Sequence, residues 1–143
     1  MSDLLTPEQM AATHTAAFTQ SRPWSAAEFA ALLDSPLVFT AGDKRCFALV
    51  RVIADEAELL TIATDPDRRR EGLARARMDA WQTRASEMGA QRAFLEVAAD
   101  NEAAIALYSG MGYQRAGLRR GYYQVPGKSA VDAVIMTRDL TQR

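Results

Sequence analysis

The chain has 143 residues, 48% of them hydrophobic and 24% charged, which predicts one globular domain over residues 1–143 whose core needs neither disulfides nor a structural metal. Its 17 basic and 18 acidic residues leave a formal charge of -1, a balance without the electrostatic footprint of a nucleic-acid or anionic-membrane binder. Cys46 is the only cysteine; this excludes an intrachain disulfide and a multi-cysteine metal site, and its run Cys46-Phe47-Ala48-Leu49-Val50 predicts a buried, inert thiol.

At the N-terminus Asp3 and Glu8 stand where a signal peptide would be basic and then apolar, and no window approaches the ~18 apolar residues of a membrane span. The expected location is the cytoplasm. Residues 7–18 read as a helix, with Thr6 placed to cap it, Pro7 at its first position, and Met10, Thr13, His14 and Ala17 at helical spacing. His14 reads as a satisfied histidine of core or surface, since a lone histidine is no ligand set. Residues 25–33 form a second helix, opened by the capping box of Ser25 and Glu28, with Trp24 and Phe29 placed as a hydrophobic staple.

Residues 37–41, 45–53 and 56–64 follow as strands of an antiparallel meander, joined by turn signals at Gly42-Asp43 and Ala54-Asp55. Residues 72–88 read as a long helix with Leu73, Ala76, Ala80 and Trp81 on one side, closed by Gly89 as C-cap. A strand over 93–98 leads to a helix over 101–111, capped by Asp100 and stopped at Gly112. Strands over 115–123 and 131–137, around a loop holding Pro126 and Gly127, complete the order α-α-β-β-β-α-β-α-β-β. The fold class is therefore α/β (α+β), a mixed sheet with helices on its faces.

The junction Asp65-Pro66-Asp67-Arg68-Arg69-Arg70-Glu71-Gly72-Leu73-Ala74-Arg75 leads from strand to long helix. A helix start offers unpaired amides and partial positive charge, and Gly72 and Ala74 have little side chain to hold a phosphate away. Two readings stay open: a pyrophosphate cradle, or a solvated arginine run beside an ordinary glycine. No Gly-Lys-Ser/Thr and no Gly-x-Gly-x-x-Gly occurs, which moves ATP and NAD down the list.

Here the pattern becomes specific. Arg69-x-x-Gly72-x-Ala74, following Ile62-Ala63-Thr64-Asp65-Pro66, resembles the acetyl-CoA signature of the GNAT acetyltransferase family, with alanine in place of the second glycine. The resemblance implies acetyl-CoA as cosubstrate. It places Arg69 in the signature, has the amides of Arg70, Glu71, Gly72, Leu73, Ala74 and Arg75 hold the pyrophosphate, and has Ile62, Ala63 and Thr64 bind the acetyl and pantetheine portion.

Glu96 interrupts the apolar run Ala93-Phe94-Leu95-Glu96-Val97-Ala98, and a carboxylate there must be hydrated, paired or protonated. It stands on a solvent-exposed face, is neutralised by an arginine, or is catalytic. Tyr108 follows Asn101 by seven residues of ~100° each, so one helix face carries both; Tyr108 is then a ligand contact or a core aromatic. Leu95-Glu96-Val97 with Asn101, Ala104, Leu107-Tyr108 and Gly112-Tyr113 resembles the second conserved segment of the same family, in particular its bacterial ribosomal-protein-alanine N-acetyltransferases. So do Pro23-Trp24-Ser25 with Phe29, Arg119-Arg120 with Tyr122-Tyr123, and Asp132-Ala133-Val134-Ile135-Met136. Ala98 and Asp100 depart from the arginine and serine usual in that subgroup, a change that bears on acceptor choice.

The resemblance implies a GNAT fold with a mixed sheet of about six to seven strands and direct attack of an amine on the thioester. Glu96 would be the general base, Tyr108 the general acid, and Asn101 a partner of the pantetheine arm; no metal takes part. The implied acceptor is the N-terminus of a protein such as a ribosomal protein. Acetylation of a small amine, and a noncatalytic CoA-binding module, are the alternatives, and both monomer and dimer are compatible. Alternation puts Tyr122 and Tyr123 on opposite faces, one lining the acceptor groove and one structural. Arg119 and Arg120 read as a solvated charge pair, or as contacts to an acidic peptide.

Overall fold

Caps, turns and periodicity give the elements their order. In a computed structural model that describes residues 5–17, 23–123, 127 and 130–141, the chain forms α1 (Pro7–Ala17), α2 (Ala26–Leu33), β1 (Val38–Asp43), β2 (Cys46–Ile53), β3 (Glu56–Thr64), α3 (Leu73–Glu87), β4 (Arg92–Ala98), α4 (Glu102–Gly110), β5 (Gln114–Tyr123) and β6 (Val131–Asp139). Position 18, the expected end of the first helix, and Pro126 lie outside the described residues. The capping box of α2 is present: the Glu28 amide donates to Ser25 Oγ at 3.2 Å and the Ser25 amide to Glu28 Oε1 at 3.1 Å. The Trp24 and Phe29 rings meet at 5.6 Å as the staple.

The six strands form one sheet in the order β1-β2-β3-β4-β6-β5. All neighbours are antiparallel except β3 and β4, which run parallel. The last strand is thus inserted between β4 and β5. Helices α1 and α2 bury Met10 and Phe29 against Phe47, Leu49 and Ala63 on one face. On the other face, α3 and α4 bury Met78, Trp81, Ala85 and Tyr108 against Val50, Leu59, Leu95, Val134 and Met136. Removing these apolar faces from water is the main force holding the layers together. His14 belongs to the core: the Trp24 amide donates to its Nδ1 at 3.1 Å, so the proton sits on Nε2, which donates to Thr61 Oγ1 at 3.2 Å.

Four local expectations are corrected. The first hairpin turns at Lys44-Arg45, and Gly42-Asp43 belong to β1. Gly42 is needed there, at φ 117°, because the Arg77 side chain of α3 lies against it. Arg77 donates from Nε to the Cys46 carbonyl at 2.8 Å and from Nη2 to Asp43 Oδ2 at 3.2 Å. The hydrogen bonds from Arg45 hold the Asp43 carboxyl down at about 2, the charge of Arg77 adding to them against the effect of burial.

The buried side of α3 is Met78, Trp81, Gln82 and Ala85, while Ala76 and Ala80 are exposed. Alanine fits either environment, so it does not mark a face. Gln82 turns inward because its Oε1 accepts from Tyr113 Oη at 2.7 Å and Arg138 Nη1 at 3.3 Å. At the end of α3 the cap is Met88, and Gly89 follows it in the left-handed region. The cap of α4 is Asn101, whose Oδ1 accepts the Ala104 amide at 3.2 Å, one residue beyond the expected Asp100.

Gly42→Ala sets a methyl against the Cys46 carbonyl oxygen and 2.5 Å from Arg77 Nε, so stability should fall by roughly 2–4 kcal/mol. Urea unfolding should show a lower midpoint at unchanged slope; an unmoved midpoint contradicts the Arg77 clamp.

Candidate active site

Strands β3 and β4 pair at Glu56↔Arg92, Ala57↔Ala93, Glu58↔Phe94 and Leu59↔Leu95, and then part. The parting starts at a bulge: Val50 of β2 pairs with Leu59 and Leu49 with Thr61, leaving Leu60 as the extra residue. Before it, Ala57 and Leu59 face α3; beyond it, Thr61 and Ala63 face α1 and α2. Residues 60–64 keep β2 on one edge and have no strand on the other. Meanwhile β4 continues against β6 through Glu96↔Ile135, Val97↔Val134 and Ala98↔Ala133. The result is a wedge-shaped opening in the sheet, edged by the main chain of residues 60–64 and 96–98.

At the end of β3, Asp65 Oδ1 accepts the Asp67 amide at 3.0 Å and starts a short 3-10 turn over Pro66–Arg68. Arg70 at φ 68° and Gly72 at φ 76° then turn the chain into α3. A left-handed arginine is a strained choice, of the kind that clusters at ligand-binding loops. Ala76 donates its amide to the Gly72 carbonyl at 3.1 Å, so the amides of Leu73, Ala74 and Arg75 have no carbonyl one turn back. A Cβ on Gly72 would meet nothing within 4 Å; the space beside the turn is open. Among the described residues Arg69, Arg70 and Arg75 take part in no ion pair, and Arg68 lies 3.9 Å from Glu71. Free amides, the positive end of a helix and unpaired guanidinium groups together suit a phosphate-bearing ligand.

Glu96 alternates with the buried Leu95 and Val97 and so faces away from α3 and α4. Its side chain is 16% exposed, and Arg119 Nε of β5 lies 3.1 Å from its Oε1. Arg119 is solvent-exposed, as expected from the sequence, and in addition pairs with Glu96; its guanidinium also lies 5.4 Å from the Tyr122 ring. Arg120 is exposed, without an ion pair among the described residues. Tyr122 is exposed and Tyr123 half-buried, their rings edge to face at 5.1 Å. Burial, with the charges of Glu96 and Tyr122, pushes the Tyr123 phenol up to about 12.

Tyr108 belongs to the opposite face, buried with Leu95 and Val97 and 6.0 Å from the Tyr113 ring. Burial first, then Tyr123 and Cys46, raise its phenol well above the usual range. No hydrogen bond joins Glu96 to Tyr108 among the described residues. They lie on the two opposite faces of the sheet. Cys46, fully buried, lies with Sγ 3.2 Å from Thr64 Oγ1 at the end of β3. Asn101 spends its carbonyl oxygen on the α4 cap and keeps its amide NH2 for another partner. Ala98 is half-buried on the Glu96 side, and Asp100 is exposed ahead of the cap. The expectation that an arginine neutralises Glu96 is met by Arg119; the sequence does not single out which arginine, because β4 and β5 are not adjacent in the sheet.

The model of the acetyltransferase (GNAT) family matches residues 7–113. The ribosomal protein bS18-alanine N-acetyltransferase of Escherichia coli is 38% identical over 141 residues, covering 95% of this chain and 94% of its own. The N-alpha-acetyltransferase RimI of Mycobacterium tuberculosis is 37% identical over 134 residues, covering 85% of this chain and 79% of its own. Among solved structures, the ribosomal-protein-S18-alanine N-acetyltransferase from Escherichia coli superposes with a TM-score of 0.87 at 33% identity, over 99% of this chain and 94% of that one.

A phenol whose ionisation is pushed upward keeps its proton throughout the neutral range. Tyrosinate absorbance near 295 nm, followed in an alkaline titration below about pH 10, should therefore be the same for the parent and for Tyr108→Phe. A loss of signal in the variant would show that Tyr108 ionises early and contradict its dry setting.

Proposed function

Because the chain belongs to the acetyltransferase (GNAT) family and is an acetyl-CoA-dependent N-acetyltransferase, we propose that it acetylates the N-terminal α-amine of a protein in the cytoplasm, with ribosomal protein S18 the favoured acceptor. The acceptor is suggested by the Escherichia coli relative, which is named for that reaction and matches nearly end to end. The observation that carries the mechanism is the opening between β3 and β4, with Glu96 on one side and Tyr108 on the other.

The unpaired edge at Ile62, Ala63 and Thr64 can accept the amides of an extended pantetheine arm as an added strand does. The amides of Arg70 to Arg75, with Arg69 and the start of α3, would hold the pyrophosphate. The Asn101 NH2 group remains available to donate to the arm. Residues on both edges thus fit the cosubstrate without displacing a protein hydrogen bond. Fixing it there also fixes the thioester carbonyl relative to an amine arriving from the Glu96 side, which converts a bimolecular encounter into an oriented one.

An α-amine has a pKa of about 8 and is partly protonated at neutral pH. Oε2 of Glu96 accepts no hydrogen bond among the described residues and takes the ammonium proton directly or through water. As the C–N bond forms and the C–S bond breaks, the acetylated nitrogen sheds its second proton through water to solvent, and Tyr108 gives its phenolic proton to the departing sulfur and recovers one from solvent. A thiol has a pKa of about 8.5 in water, below that of the buried phenol. The same dry surroundings that raise Tyr108 also destabilise the thiolate, so the proton moves between groups shifted in the same direction.

The test is acetyl-CoA turnover with a peptide beginning Ala-Arg-Tyr against its N-terminally blocked form. CoA release only with the free terminus is expected; turnover only with polyamines, amino acids or aminoglycosides would overturn the peptide acceptor. Glu96→Gln and Tyr108→Phe should each lower kcat by about 100-fold or more while acetyl-CoA affinity stays within about threefold. Parental kcat in either variant would remove that residue from the mechanism.

A further inference from the structure

The Glu96–Arg119 pair spans an intervening strand. Glu96 is on β4, Arg119 on β5, and β6 runs between them. Successive strands are about 4.8 Å apart, so the two backbones stand about 10 Å from each other and the guanidinium must be laid across β6. The register supplies a path. Arg119 pairs with Ala133, which pairs with Ala98, two residues from Glu96 on the same face of β4. Ala133 and Ala98 present only methyl groups on that face, beside Ile135 opposite Glu96, and the guanidinium lies 5.4 Å from the Tyr122 ring.

The arginine is 55% exposed and the carboxylate 16% exposed. A pair with an exposed partner adds little to stability, since water screens it and a long side chain must be ordered to make it. Its consequence for the carboxylate is larger. One oxygen of Glu96 is held beside the guanidinium, and Oε2 is left for an incoming ammonium.

We propose that Arg119 is a positioning residue for the acetyl-transfer step, holding the Glu96 carboxylate in place from two strands away through Oε1. The proposal rests on the reading of Glu96 as the proton acceptor. Arg119 touches neither the amine nor the thioester; it acts through Glu96 alone.

The experiment compares parent, Arg119→Ala, Arg119→Gln, Arg119→Lys, Glu96→Gln and the double variant Glu96→Gln/Arg119→Ala, using acetyl-CoA and the Ala-Arg-Tyr peptide. Arg119→Ala and Arg119→Gln should each lower kcat about tenfold, with the peptide KM and acetyl-CoA affinity within about twofold of parent. Arg119→Lys should recover most of the loss. In the Glu96→Gln background the same alanine change should cost less than about twofold, because its target is gone. An equal tenfold loss in both backgrounds, or a loss confined to KM, overturns the positioning role and leaves Glu96 as base. Parental kcat in Glu96→Gln overturns both readings together.

Discussion

A strand edge inside a sheet leaves main-chain N–H and C=O groups that must be satisfied by protein, water or a ligand. In this protein such an edge is created where the parallel ladder of β3 and β4 ends at Leu59↔Leu95. The Leu60 bulge turns β3 aside at that point and exchanges the faces its side chains occupy. The sheet is therefore continuous at one end and divided at the other. Every group assigned to the chemistry lies around the divided end.

The division is supported from both sides. Arg77 ties α3 to the β1–β2 hairpin through Cys46 and Asp43, which sets the start of α3 beside the end of β3. Gln82 ties the middle of the same helix to Tyr113 and Arg138, beyond α4 and on β6. A helix fixed at two places presents its free amides at a fixed angle to the opening. On the opposite face, the buried His14 bonds Thr61 immediately after the bulge. The proposed phosphate cradle, the strand edge, Glu96 and Tyr108 are thus positioned by separate packing units.

Much of this could be read from the sequence because local chemistry dictates it. The capping box at Ser25, the alternation of residues 56–64 and the glycine-marked start of α3 specify their own conformations. The errors lie where local rules are ambiguous or silent. Alanines at 76 and 80 carry no facial information, and Gln82 turns inward for partners that come from later in the chain. Asp100 and Asn101 are both good caps, and only the geometry selects the second. Gly42 looked like a turn residue, although it is glycine because of a helix 35 positions away. The insertion of β6 between β4 and β5 is a long-range choice, and the meeting of Glu96 with Arg119 depends on it entirely.

In the proposed function the unpaired β3 edge and the start of α3 form one binding surface for the cosubstrate. Amide hydrogen exchange with and without CoA, resolved by residue, tests it most directly. Binding should slow exchange in residues 60–64 and 70–75 together, while the β1–β2 ladder stays unchanged. Protection of residues 70–75 alone would leave the strand edge out of the site, and protection of neither segment at saturating CoA would exclude both from cosubstrate binding.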